Sequence, residues 1–239
     1  MGLFDGQTIM ITGAGGALAR GVVNKFAQEG AQLVMVDIDR DAMENVADRQ
    51  GDVLSDYLIV TGDLGKPADV DAIVTQAEDK FGTIDALAHI AGGFAMGDPV
   101  HATDISIYEK MMYLNARLSW VTMGRVAQHM IENDVQGSIT TMIAKPAASG
   151  AANMAAYSAS KAAVERIMQS MALELKAHDI RVNGISPSVA DTPANRAAMP
   201  DADWSKWVTA DQLAETFAFL ASPAAVAITG QNIGVYNRT

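Results

Sequence analysis

The 239-residue sequence contains no cysteine, which excludes a disulfide framework, a thiolate nucleophile and a cysteine-ligated metal. Clustered Lys and Arg are also missing. With 17 basic against 28 acidic residues and a net charge of −11, there is no electrostatic footprint for nucleic acid or an anionic membrane. No run of about 18 apolar residues occurs, which argues against a membrane-spanning helix. The opening MGLFDGQTIMITGAGG has no basic region leading into an apolar run, and position 6 is Gly6 rather than the Ser or Thr of a myristoylation signal. A cytoplasmic location is therefore expected. His89, His101, His129 and His178 lack metal-ligand spacing, so no metal is expected and each reads as a histidine without a role.

Apolar residues make up 49% of the chain, enough to bury a sizeable core in one domain spanning residues 1–239. Strand-like β-branched runs fall at 8–12, 32–37, 57–61, 84–90, 137–143, 180–186 and 232–236, with segments of helical period between them. In LARGVVNKFAQEG, Leu18, Val22, Phe26 and Gly30 recur at four-residue steps and form one apolar face. QLVMVD and IDALAHIA are continuous apolar runs, as expected of strands covered on both faces. Their alternation with helices predicts an α/β, doubly wound parallel sheet of about seven strands with helices on both faces. Long helical segments are expected over 104–131 and 154–177. In such sheets ligands sit beyond the carboxyl ends of the strands, so loops 144–153 and 187–207 should border the cleft.

After the first strand, Gly13, Gly15, Gly16 and Ala17 lead into Leu18 at the head of a helix. Small residues there let the backbone approach a pyrophosphate while helix N–H groups face it. About 20 residues further on, Asp37 ends the second strand, where a carboxylate can accept from ribose hydroxyls and repel a 2′-phosphate; Asp39 and Asp41 lie close enough to compete for that task. NAD is favoured over NADP. Later, Tyr157 and Lys161 lie one helical turn apart on the same face of MAAYSASKAAVERIMQSMALELKAH. A nearby ammonium, together with an oxidised nicotinamide ring, favours the phenolate, which would make Tyr157 usable as an acid or base.

These residues together resemble the short-chain dehydrogenase/reductase family, whose members have a Rossmann fold. The glycine motif departs mildly, with Ala17 and Ala19 at its last two glycine positions. By that resemblance, Asp63 and Leu64 hold the adenine, and Ala91 and Gly92 line the cofactor. Pro187, Val189 and Thr192 face the nicotinamide carboxamide, with Ser188 in place of a glycine, and Asn115 supports a proton relay through Tyr157 and Lys161. The family's Asn-Asn-Ala-Gly appears here as His89-Ile90-Ala91-Gly92, which puts the bracing of the central strand in doubt. The serine that binds the reacting oxygen is replaced by Ala144. Losing such a donor often costs about 10²- to 10³-fold in rate; Ser149, Thr141 or a water is a possible substitute.

The implied activity is NAD(H)-dependent hydride transfer between nicotinamide and a small alcohol or carbonyl substrate. The last third, with DTPANRAAMPDADWSKW, Ala144 and Ala91-Gly92-Gly93, resembles the dihydropteridine-reductase branch. That opens reduction of a quinonoid pteridine or imine-like group as an alternative. A catalytically weak NAD-binding sensor or scaffold is a third reading. Met96, Met154 and Met199 are candidates to line an apolar pocket, and Trp204 and Trp207 either cover a substrate or pack on the helix beneath. By resemblance, segments 104–131 and 154–177 pair between copies in a homodimer or homotetramer.

Overall fold

Strand β1 (Thr8–Thr12) is buried along its whole length because helices cover both its faces. The computed structural model describes residues 2–54 and 56–239. The other strands are β2 (Gln32–Asp37), β3 (Tyr57–Thr61), β4 (Ala86–His89), β5 (Ser138–Met142), β6 (Arg181–Pro187) and β7 (Asn232–Val235). They form a seven-stranded sheet in the order β3-β2-β1-β4-β5-β6-β7, parallel at every pairing. The seven strand segments expected from the sequence are all present, with ends shifted by two residues at most.

Between the strands run α1 (Ala19–Gln28), α2 (Arg40–Gln50), α3 (Pro67–Phe81), α4 (Ile105–Met111), α5 (Leu118–Glu132), α6 (Ala155–Glu174), α7 (Pro193–Ala198) and α8 (Ala210–Ala221). Side chains alternate across a strand, and β1 divides accordingly. Ile9 and Ile11 pack with Val22, Phe26, Leu213 and Phe217 from α1 and α8. Met10 points the other way, into a core with Ile73, Val126, Val164 and Met168 from α3, α5 and α6. Burying each such side chain contributes roughly 1.5–3 kcal/mol. Two cores therefore clamp the sheet and hold its carboxyl edge in place.

The strand order reverses between β1 and β4, so the crevice opens there. Gly13 leaves β1 at φ +67°, and a Cβ on it would lie 2.9 Å from the Ala91 backbone. Only glycine allows the two strand ends to approach this closely.

One element departs from the expected pattern. The single helix expected over 104–131 is interrupted by a π turn, Met112–Arg117, between α4 and α5. Apolar periodicity does not register it, because one wider turn leaves the buried face apolar on either side. The turn carries Asn115, fully buried, whose Nδ2 donates to the Gly93 carbonyl while its Oδ1 accepts from the Gly93 N–H, both at 3.0 Å.

Candidate active site

Beyond β1, β2 and β4 lies a cleft of about 600 Å³. Its floor is Gly13, Gly16, Ala17 and Leu18, with Ala91 and Gly92 opposite, Asp37 with Asp63 and Leu64 along one side, and Thr192 at another. Gly15 sits behind that wall, and its N–H donates to Asp37 Oδ2 at 3.1 Å. Asp37 Oδ1 accepts from the Ile38 N–H at 2.7 Å. The carboxylate is thus tied to the glycine-rich turn and fixed at the cleft. Asp39, its nearest competitor, is occupied as the N-cap of α2, accepting from Ala42 N–H at 3.0 Å.

Asp63 accepts from Tyr113 Oη at 2.8 Å and from the Gly65 N–H at 3.0 Å, with Lys66 Nζ at 3.5 Å. Burial raises the pKa of Asp63, yet these partners outweigh it and hold the carboxyl below its ordinary range. Tyr113, in the π turn, thus lines the cleft beside Asp63, a contact that sequence reasoning missed.

The chemical half hangs from α6, which packs on the π turn and on β6. Asn115 Nδ2 donates to Ser160 Oγ at 3.0 Å, and Ser160 Oγ donates to the Tyr157 carbonyl at 2.8 Å. Lys161 is buried, its Nζ donating to the Met142 carbonyl at the end of β5 at 2.8 Å. Gly92 joins the halves: a Cβ there would lie 2.7 Å from Asn115 Oδ1 and 3.2 Å from Lys161 Nζ. The Phe94 ring stands edge-on to Tyr157, centroids 4.9 Å apart at 79°.

Within the chain's own groups, burial works against the easing of the Tyr157 phenol. Burial pushes Tyr157 up to about 12 and Lys161 down to about 8. The physical reason is that burial disfavours the charged form of each group, the phenolate and the ammonium alike.

Stability should record both groups. An unfolded Lys161 keeps its proton to about 10.5 and the folded one releases it near 8, so stability rises with pH across that window. The folded Tyr157 stays protonated to about 12 against 10.0 unfolded, so its contribution falls above pH 10. Urea titrations of the wild type and Lys161→Met should diverge by on the order of 2–3 kcal/mol between pH 8 and 10. Identical pH slopes in the two proteins would refute the buried, depressed lysine.

The doubt over strand bracing is removed. Thr12 Oγ1 accepts from the backbone N–H groups of Ile90 and Ala91 at 3.2 and 3.3 Å, and His89 bonds Thr12 and Ser119. His89 accordingly has a structural task that its sequence spacing did not suggest. Ala144 is buried beyond β5 and brings no hydroxyl. Neither proposed substitute is placed by a bond to the site, since Thr141 Oγ1 is buried without a partner and Ser149 is exposed.

After β6, the Val189 carbonyl accepts from Val208 N–H at 2.9 Å, and Thr192 caps α7 through Asn195 N–H at 3.2 Å. Pro187 ends β6. Trp207 is a packing residue, 4% exposed, whereas Trp204 stacks under Arg196 and donates from Nε1 to the Met199 carbonyl at 3.0 Å. Met96 and Met199 are exposed and Met154 half-buried.

The family model described as Enoyl-(Acyl carrier protein) reductase matches residues 13–236. This chain belongs to the short-chain dehydrogenase/reductase family. Its relatives include glucose 1-dehydrogenase of Gluconobacter oxydans, 28% identical with 97% of this chain and 91% of that protein covered. Galactitol 2-dehydrogenase of Agrobacterium fabrum is 32% identical over 85% of this chain and 77% of its own length. Among solved structures, 3-ketoacyl-(acyl-carrier-protein) reductase of Brucella melitensis complexed with NADH superposes with a TM-score of 0.87 at 31% identity, covering 98% of both chains.

As a short-chain dehydrogenase/reductase, the protein is an oxidoreductase that transfers hydride with a nicotinamide cofactor. The residues present fit such a group: Gly13, Gly16, Ala91 and Gly92 line the cleft without bulky side chains, and a fixed carboxylate stands along it. Among the described residues no helix is long and apolar enough to cross a membrane.

Proposed function

We propose that this protein is an NAD(H)-dependent dehydrogenase/reductase of a small alcohol or carbonyl substrate, working as one unit over the whole chain. The observation that carries the reading is Gly92, which lines the cleft and whose missing Cβ lets Asn115 and Lys161 lie directly against it. Binding and chemistry thereby share one wall. When bound, the nicotinamide supplies or accepts the hydride, and its oxidised ring adds a positive charge that favours the phenolate.

The chain's own residues do the rest. Tyr157 gives or takes the proton at the substrate heteroatom. Lys161, held by Met142, presents an ammonium beneath it and reaches for the ribose. Asn115 holds the Gly93 backbone and the first turn of α6 in register through Ser160. Gly13, Gly16, Ala17 and Leu18 face the pyrophosphate, with Gly15 behind them tying Asp37 to the turn. Asp63, Leu64 and Ala91 flank the adenine side, while Pro187, Val189 and Thr192 face the carboxamide. Asp37 selects NAD by accepting from the ribose hydroxyls and repelling a 2′-phosphate.

A second reading is favoured by the buried methyl of Ala144 and by the Phe94 ring at Tyr157. Quinonoid or imine-like groups place less charge on a single oxygen, so they need the missing hydroxyl least, and a flat ring suits an aromatic wall. Screening NADH and NADPH oxidation over carbonyls, alcohols and quinonoid pteridines separates these readings. Turnover with ketones and none with the pteridine supports the first. NADH binding without turnover on any of them would leave a sensor.

The α5–α6 face is proposed to pair between copies as a homodimer or homotetramer. Trp120 is 68% exposed there, beside a groove bordered by Ile131, Ile167 and Met171. Sedimentation of the wild type should exceed the 25.2 kDa of one chain, and Trp120→Glu should shift it toward that mass. A monomeric wild type would refute the pairing.

A further inference from the structure

A buried chain of hydrogen bonds joins the cofactor crevice to the π turn, and the reaction described above makes no direct use of it. Thr12 and His89 are register partners on β1 and β4, so their side chains meet on one face of the sheet. The direction of each bond follows from counting protons. A hydroxyl has two lone pairs and one proton. Thr12 Oγ1 already accepts from Ile90 and Ala91 N–H, so its proton goes to His89 Nδ1 at 2.9 Å. Nδ1 is therefore an acceptor, and a neutral imidazole must carry its proton on Nε2, which faces Ser119 Oγ at 3.2 Å. Ser119 in turn donates to the main-chain carbonyl of Asn115 at 2.8 Å.

An imidazolium would break this order, because an N–H at Nδ1 would face a hydroxyl with no lone pair left. The surroundings agree: full burial, with the Lys161 charge adding to it, holds His89 down at about 3.

We propose that His89 is a positioning residue, fixed as the neutral Nε2–H tautomer, that locks the π turn through Ser119 and so sets Asn115 against Gly93 and Ser160. Its consequence for turnover rests on the reading under Proposed function; the tautomer does not. The carbonyl that Ser119 holds belongs to the same residue whose side chain binds the Gly93 backbone and Ser160. A shift of the turn therefore reaches both the crevice wall and the first turn of α6. Ser160 passes it to Tyr157 through the Tyr157 carbonyl. Misplacement of this kind, far from the reacting atoms, can cost up to about 10²-fold in rate.

Nitrogen-15 NMR of the labelled wild type reads the tautomer directly. A pyridine-type Nδ1 and a protonated, pyrrole-type Nε2, unchanged between about pH 5 and 8, are expected. An Nδ1–H tautomer, or titration of His89 in that range, overturns the proposal.

Ser119→Ala removes the last link with little change in volume. It should lower kcat about 10-fold with the cofactor KM within about two-fold, and speed amide exchange at Gly93 and 112–117 while β2 and β3 stay protected. Wild-type turnover and exchange in Ser119→Ala would overturn the proposal. A wild type inactive on every substrate, with the expected tautomer and altered exchange in the variant, would instead refute only the catalytic reading.

Discussion

Tyr157→Phe should lower kcat by about 10²- to 10⁴-fold, the range of positioned proton transfer, while leaving NADH affinity within about two-fold. The substitution removes one oxygen and keeps the ring that packs edge-on against Phe94, so the wall of the site survives. Burial already holds the phenol up at about 12, so the hydroxyl is protonated at neutral pH and is ready as a proton donor in the reductive direction. Oxidation asks more of it, since the phenolate must form beside Lys161 and the oxidised ring. The loss should therefore be measured in both directions, with a steeper pH dependence for oxidation. Unchanged turnover in the phenylalanine variant would remove Tyr157 from the reaction.

Asp37→Ser should change the ratio of NADH to NADPH affinity by about 10²- to 10³-fold. Two unit charges about 4 Å apart repel by roughly 4 kcal/mol at an effective dielectric near 20, and about 1.4 kcal/mol corresponds to a tenfold change. A carboxylate facing a 2′-phosphate falls in that regime because Gly15 and Ile38 N–H groups hold it in place. The gain for NADPH comes from lost repulsion. The nearby Arg40 reaches toward Glu44 and the Ile59 carbonyl, both at 3.4 Å. NADH should weaken at the same time, as its ribose loses an acceptor and the glycine turn a tether. Dissociation constants for both dinucleotides, in both proteins, check this; a ratio altered less than about threefold would show that Asp37 does not set the preference.

Much of the fold was legible because its determinants are local. A strand covered on both faces must be an apolar run, and a helix between strands must repeat its apolar residues every three or four positions. Thr8–Thr12 and Ala19–Gln28 both obey this. Phe26 and Val22 could be assigned to a buried face before the partner face, Leu213 and Phe217 on α8, was known. The π turn was not legible, since Met112–Arg117 contains no proline or glycine and the backbone that its Asn115 binds, Gly93, lies on a different loop. His89 was misjudged for the same reason. Metal-ligand spacing is silent on it, because its partners are Thr12 and Ser119, which no spacing rule connects to it.

The sequence by itself determined the alternation of strands and helices, the glycine turn with Asp37 behind it, and the placing of Tyr157 and Lys161 one turn apart on one helix. Each depends on residues close together in the chain or on a periodicity that repeats along it. Only the tertiary structure decided how those parts act on one another. Lys161 is held by a carbonyl 19 residues away, and Thr12 reaches His89 across 77. Bonds of that span form only when the sheet register brings β1 beside β4 and the packing of α6 brings Lys161 to the end of β5. The charge state of each buried group follows from that packing, because burial and the neighbours it supplies set the energy of every proton in the site.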